Sequence, residues 1–214
     1  MPRGDGPGSE RAGALTAPMC NEQRRRIALG QIREDWSQTR IPLVFPEGLP
    51  NLAPLDSIRI TDPNAIVRVS SAQEGEAELV VRRWSWPGPG GKPVYNYRSD
   101  GREFPRGRCL IVADGFYEFT APADPAKKRK DKWLFTLAGE PWFCIAGLWR
   151  VDAKVGEAYT MLTTEPGPDV APYHNRQVVV LPPADWARWL DPAVPAAELM
   201  RPLPAGSLEV EQVG

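Results

Sequence analysis

Cysteine is scarce in this chain of 214 residues, where Cys20, Cys109 and Cys144 are the whole set. An odd, widely spaced trio excludes a disulfide framework and lacks the paired spacing of a structural zinc site, and it fits a reducing compartment. Histidine is scarcer still, with His174 alone. No apolar run reaches the length of a secretory or membrane-spanning segment, so a soluble, cytoplasmic protein is expected. Charge of one sign is also missing: 26 Lys and Arg against 27 Asp and Glu leave a net charge of -1. Without a global basic field, binding to nucleic acid would depend on a local patch. No metal or other cofactor is called for.

Residues 1–18 are rich in glycine and proline and hold no apolar run, so they cannot bury enough surface to offset chain entropy and read as a disordered leader. Either the functional protein starts at Met19 or the leader is cut there. The roughly 195 residues that follow suffice for one domain with a sizeable core and not for two, so 19–214 is read as a single domain. From Asn21 to Trp36 the spacing of Ala28, Ile32 and Trp36 predicts a helix starting almost at Cys20. Prolines break up 41–57, and short β-rich runs follow, from Ile58–Ile60 to Val178–Leu181. A helix opens at Pro182-Pro183 and carries Trp186, Trp189 and Leu190, and Ala196–Met200 suggests a second. The class is α+β, mainly antiparallel sheet with a few peripheral helices.

Polar residues interrupt this pattern where chemistry is possible. Loss of Met19 would leave Cys20 with a free α-amine beside its thiol, a pair that condenses with an aldehyde to an imine and then to a thiazolidine ring. Asn96 and Arg98 share one face of a strand, where an amide and a guanidinium can hold an anion, or simply face solvent. Between Arg108 and Phe119 an apolar strand meets an Asp114-Gly115 turn and re-emerges with Glu118 among aromatics. There a partly desolvated carboxylate suits acid/base work, unless it points to water. His174 sits in a Pro/Gly-rich loop at the lip of a strand, a common place for sites. Lys127 to Lys132 reads as a solvated hairpin tip, with phosphate contact the minority reading. Cys109 and Cys144 lie in apolar strands that read as core.

Met19-Cys20, Asn96-x-Arg98-Ser99 with an acid following, Arg108-Cys109-Leu110 to Asp114-Gly115-Phe116-Tyr117-Glu118, Ala146-Gly147-Leu148-Trp149, Thr163-Thr164 and His174-x-Arg176 stand in the order seen in SOS response-associated peptidase (SRAP) domain proteins. The chain resembles that family from residue 19 to about 190. The family carries a peptidase name but is understood to cross-link itself to abasic sites in single-stranded DNA. The resemblance implies a barrel-like sheet and assigns roles. Cys20 would trap the ring-opened abasic sugar, Asn96 would orient cysteine and substrate, Glu118 would shuttle protons, and His174 would open the sugar ring. Arg98 and Arg176 would contact DNA, and Trp84 and Trp86 would offer faces to unstacked bases. The expected partner is single-stranded DNA bearing abasic sites, bound by a monomer.

The chain departs from the family pattern in several places. Asn21-Glu22-Gln23 replaces the common Gly-Arg after the cysteine, Asp100 replaces a glutamate, Gln177-Val178 replaces Met-Pro, and Trp84-Ser85-Trp86-Pro87 replaces Trp-Gly-Leu-x-Pro. These mark a divergent branch. Two other classes fit the same residues. An N-terminal-cysteine thiol peptidase or amidase would use its own amine as base, and a non-covalent binder of single-stranded nucleic acid would need no thiol at all.

Overall fold

The computed structural model describes residues 20–124 and 126–214, so the leader and Met19 lie outside the described residues. In chain order the elements are β1 (Glu22–Arg25), α1 (Leu29–Trp36), β2 (Leu43–Val44), β3 (Leu55–Arg59), β4 (Pro63–Val69), β5 (Ala77–Trp84), β6 (Trp86–Pro87), β7 (Pro93–Val94) and β8 (Asn96–Arg98). They continue with β9 (Arg108–Ala113), β10 (Gly115–Thr120), β11 (Asp131–Leu137), β12 (Phe143–Asp152), β13 (Gly156–Thr164), β14 (Gln177–Val178), β15 (Val180–Leu181), α2 (Pro183–Leu190) and β16 (Leu208–Gln212). The fold is α+β and mostly strand, as the periodicity predicts.

Two sheets carry the molecule. One is antiparallel, in the order β16-β11-β10-β1-β3. In the other, β12, β9, β4 and β5 follow β13 by antiparallel pairing, and a parallel pairing of β13 with β5 closes the sheet on itself. The alternation of a strand sends successive side chains to opposite faces. Thus Ala65, Val67, Leu110, Val112 and Ala146 pack with α1 and α2, where Trp36, Trp142 and Trp186 stack together. Ile66, Cys109, Ile111 and Ile145 pack on the other side with Phe116 and Phe135 from the first sheet.

The stretch after Cys20 corrects the expected helix. Residues 22 to 25 are a strand between β3 and β10, and helix begins only at Leu29. Four consecutive polar residues can occupy an interior strand because each finds a distant partner. Gln23 donates to the Tyr159 hydroxyl at 2.8 Å and Arg25 to Asn64 Oδ1 at 2.9 Å, while Lys132 bonds Glu22 at 2.7 Å and Arg24 bonds Asp114 at 2.6 Å. Buried polar groups persist only when satisfied in this way.

Asp114-Gly115 is also not a hairpin turn. It is the point where the chain leaves one sheet at the end of β9 and enters the other as β10. Asp114 accepts from the Arg24 side chain and the Arg26 backbone N–H, which ties the crossing to β1. A Cβ at Gly115 would lie 2.7 Å from Leu134 Cδ1 and 3.3 Å from the Phe135 carbonyl oxygen, so glycine lets β10 sit close against β11 without displacing Leu134. The expected second C-terminal helix is a short 3-10 turn, Ala196–Glu198, and β16 closes the first sheet without a signal in the sequence reading.

Candidate active site

Cys20 lies at the start of β1, where that strand meets β10. Its backbone nitrogen donates to Glu118 Oε1 at 3.1 Å, and its carbonyl accepts from Asn96 Nδ2 at 3.1 Å. Three of the residues singled out in the sequence, spread over nearly 100 positions, therefore meet at the backbone of one residue, Cys20. Asn96 reaches it from β8, which pairs in parallel with β13. Glu118 is on the inward face of β10 with Phe116, while Tyr117 and Phe119 alternate outward toward the Lys132 ammonium.

Burial sets the electrostatics. Glu118 is fully enclosed, and desolvation pushes its carboxyl up from 4.5 to about 8, opposed only by the Cys20 N–H bond. Its Oε2 has no hydrogen-bond partner among the described residues. Burial, and then the nearby Glu118 charge, raises the Cys20 thiol well above its ordinary value, so the sulfur is a neutral thiol. Burial, reinforced by Cys20 and Glu118, also raises the Tyr95 hydroxyl, which places that ring beside the same centre.

His174 sits at the end of a turn held by Tyr173 N–H to Val170 O and His174 N–H to Val170 O. His174 Nδ1 lies 3.1 Å from both the Arg176 backbone nitrogen and the Arg176 carbonyl oxygen, and the ring's tautomer sets whether it accepts from the first or donates to the second. Tyr173 packs in the same side-chain cluster as Cys20 and lies 4.7 Å from the Trp133 ring. Trp133 stands directly across from Glu118 in the β10–β11 register. The sequence reading missed Tyr95, Trp133 and Tyr173 as neighbours of the site.

Two expectations fail on packing. Trp84 is fully buried, its ring stacked on Tyr159 with centroids 6.5 Å apart and its Nε1 bound to Tyr95 O, so it supports β8 from beneath and has no face for a base. Trp86 is likewise buried, with the Arg150 guanidinium 4.4 Å over its ring. Arg176 is engaged within the protein. It bonds Asp100 at 2.9 Å and the Thr163 carbonyl at 2.9 Å, joining the His174 loop to the strand that carries Asn96 and Arg98. Arg98 itself is exposed. Cys109 and Cys144 are buried in the core as expected. Among the described residues no group of histidines, cysteines and acids is arranged to hold a metal ion, and no helix is long and apolar enough to cross a membrane.

Several solved structures share the fold. A protein from Bordetella bronchiseptica is 23% identical with a TM-score of 0.63, covering 91% of this chain and 100% of its own. One from Bacteroides thetaiotaomicron is 16% identical with a TM-score of 0.68, covering 91% of this chain and 92% of its own. A phage-related protein from Bordetella bronchiseptica is 20% identical with a TM-score of 0.65, covering 91% and 94%. No curated protein matches the chain. The model of one family matches residues 93–214, a span that holds Asn96, Arg98, Glu118, His174 and Arg176 but not Cys20. More than half of the sequence lies within that match, and the chain belongs to the SOS response associated peptidase (SRAP) family.

Proposed function

We propose that this chain, once cut between Met19 and Cys20, captures the aldehyde form of an abasic deoxyribose in single-stranded DNA as a thiazolidine on Cys20. The observation that carries the proposal is the Cys20 nitrogen 3.1 Å from Glu118 Oε1, with the carbonyl of Cys20 itself accepting from Asn96. That nitrogen is the amide of the Met19–Cys20 bond. A protonated Glu118 can give it a proton as water adds to the Met19 carbonyl carbon and the C–N bond breaks, which favours self-processing at the same site. Membership of the family supports a role in the response to DNA damage.

Cleavage turns the amide into an α-amine, whose ordinary pKa is about 7.7–8.0. Beside a carboxyl at about 8 the two groups share one proton, and the opposite charge of an ammonium draws Glu118 toward ionisation. Glu118 can therefore relieve the ammonium of its proton. His174 moves a proton from the sugar's anomeric hydroxyl to its ring oxygen, which opens the ring to the aldehyde. The amine then attacks the carbonyl carbon, a C–N bond forms, and the oxygen leaves as water to give the imine. The thiol adds to the imine carbon, an S–C bond forms, and the thiol proton passes to nitrogen through Glu118. Because the thiol is neutral, amine attack precedes sulfur attack. Arg98, exposed beside Asn96, holds a neighbouring phosphate.

Intact mass of the purified protein, with and without an abasic oligonucleotide, tests this reading. The active form should begin at Cys20 and gain the mass of the oligonucleotide less one water. An active protein that retains Met1 would overturn the mechanism.

A further inference from the structure

The loop joining β10 to β11 carries Lys127, Lys128, Arg129 and Lys130 in succession, and the site chemistry uses none of them. All four are exposed, and among the described residues none makes an ion pair. In a chain whose net charge is -1, this is a concentrated departure from the average. The loop is shaped by its own acids. The Asp124 carboxylate accepts from Ala126 N–H at 2.9 Å and its backbone carbonyl from Lys127 N–H at 3.0 Å, and Asp131 is buried where its carboxylate accepts from Ala123 N–H. Two backbone bonds fasten the C-terminal strand to the loop's base, Lys132 N–H to Gly214 O at 2.7 Å and Val213 N–H to Lys132 O at 2.8 Å. Between them lies a depression of about 340 Å³ lined by the four cations, Asp131 and Gly214.

The hairpin also fixes where this surface stands relative to the active site. Glu118 lies two residues before the end of β10, which at the rise of an extended strand is about 7 Å. The cations thus project from the loop end of the hairpin whose ladder pairs Glu118 with Trp133 midway along it.

We infer that Lys127, Lys128, Arg129 and Lys130 form a contact for the phosphodiester backbone of single-stranded DNA, outside the lesion and continuous with the capture site. The inference rests on the capture reading for its partner. Unpaired, exposed cations bind phosphates by releasing counterions, which gives affinity without sequence preference and a strong dependence on salt. The surface would hold the strand while the sugar is trapped a short distance away. It supplies cations in a branch where Glu22, tied to Lys132, stands close behind Cys20.

The test compares the parent with a variant in which all four are neutralised, Lys127→Ser, Lys128→Ser, Arg129→Ser and Lys130→Ser. Exposed loop positions of this kind rarely disturb folding, and thermal melting checks it. Binding to a long oligothymidylate is titrated over a range of NaCl, and adduct formation is timed on a long abasic oligonucleotide and on an abasic trinucleotide. The expected result is a salt slope shallower by about 2 to 3, near 0.7 for each phosphate that is no longer neutralised, and weaker binding to long DNA. Adduct formation at subsaturating long DNA slows, while the trinucleotide rate is unchanged. Unchanged slope and affinity on long DNA would overturn the inference, as would equal loss on the trinucleotide. Displacement of long DNA by polyglutamate at equal charge would reassign the surface to an acidic protein partner. If the parent forms no adduct with either abasic substrate, the capture reading fails, and the oligothymidylate titration still decides the loop.

Discussion

Cys20 and Cys109 are both fully buried thiols in the same cluster of side chains, and burial raises both above the ordinary range. What surrounds them differs. Cys109, in the middle of the barrel sheet, has Ile111 and Gly147 as neighbours, and the nearest charge that bears on it is Arg68. Cys20 has a carboxyl on its own nitrogen and an amide on its own carbonyl. Burial alone makes a thiol inert, and it becomes a reagent only where the enclosing wall also supplies a group that can take a proton.

The largest expected effect breaks this comparison outright. Cys20→Ala should abolish the covalent adduct with abasic single-stranded DNA, while Cys109→Ala and Cys144→Ala should keep it, at a cost in stability from the cavity they leave. Mass spectrometry of the mixture reads both. Loss of the adduct in a folded Cys109 variant would move the nucleophile to the other seam.

Next come the groups that distinguish the Cys20 wall. Glu118→Gln and His174→Ala should each slow adduct formation by on the order of a hundredfold, as loss of a general acid or base does. If both serve one step, the double variant should be little slower than either single one. Single-turnover time courses measure this, and normal rates in both would leave the N-terminal cysteine as the sole catalytic device.

A smaller effect is expected from the ion pair that holds the His174 loop to the Asn96 strand. Asp100→Ala or Arg176→Ala should slow capture by roughly tenfold, the equivalent of one charge-assisted hydrogen bond. Asp100→Glu should restore most of the rate, and binding to intact DNA should be unchanged in the Asp100→Ala variant. Lost affinity for intact DNA in Arg176→Ala alone would instead make Arg176 a phosphate contact.

A separate effect, outside the capture rate, is on stability. In the uncleaved chain Glu118 titrates at about 8 when folded and near 4.5 when unfolded. The folded state holds a proton that the unfolded state has released, so stability is fully present below about pH 4.5 and falls as pH rises toward 8. Glu118→Gln should remove that slope and be the more stable protein at pH 8. Urea unfolding at pH 5 and pH 8 checks it. The free amine of the cleaved form should flatten the slope, because an ammonium partner favours the ionised carboxylate.

Strands β9, β12 and β13 were legible because they carry runs of mainly apolar side chains, buried on both faces, so burial follows from composition whatever the partner. Cys20, Asn96, Glu118 and His174 were legible as chemistry that interrupts such a pattern. Trp84 was misread because a tryptophan's sequence position does not say which face is covered, and Tyr159, far along the chain, covers it.

The sequence by itself determined the class of the fold, the apolar strands that make its core, and the inventory of reactive groups, since these depend on side-chain type and local periodicity. Only the tertiary structure decided that Glu22 to Arg25 is a strand and not the start of a helix. The alternatives differ in whether four polar side chains are solvated or buried, and that turns on partners supplied by Lys132, Tyr159, Asp114 and Asn64. The same holds for the site: a carboxyl becomes an acid near neutral pH only when residues distant in the chain close over it, and no local pattern encodes that enclosure.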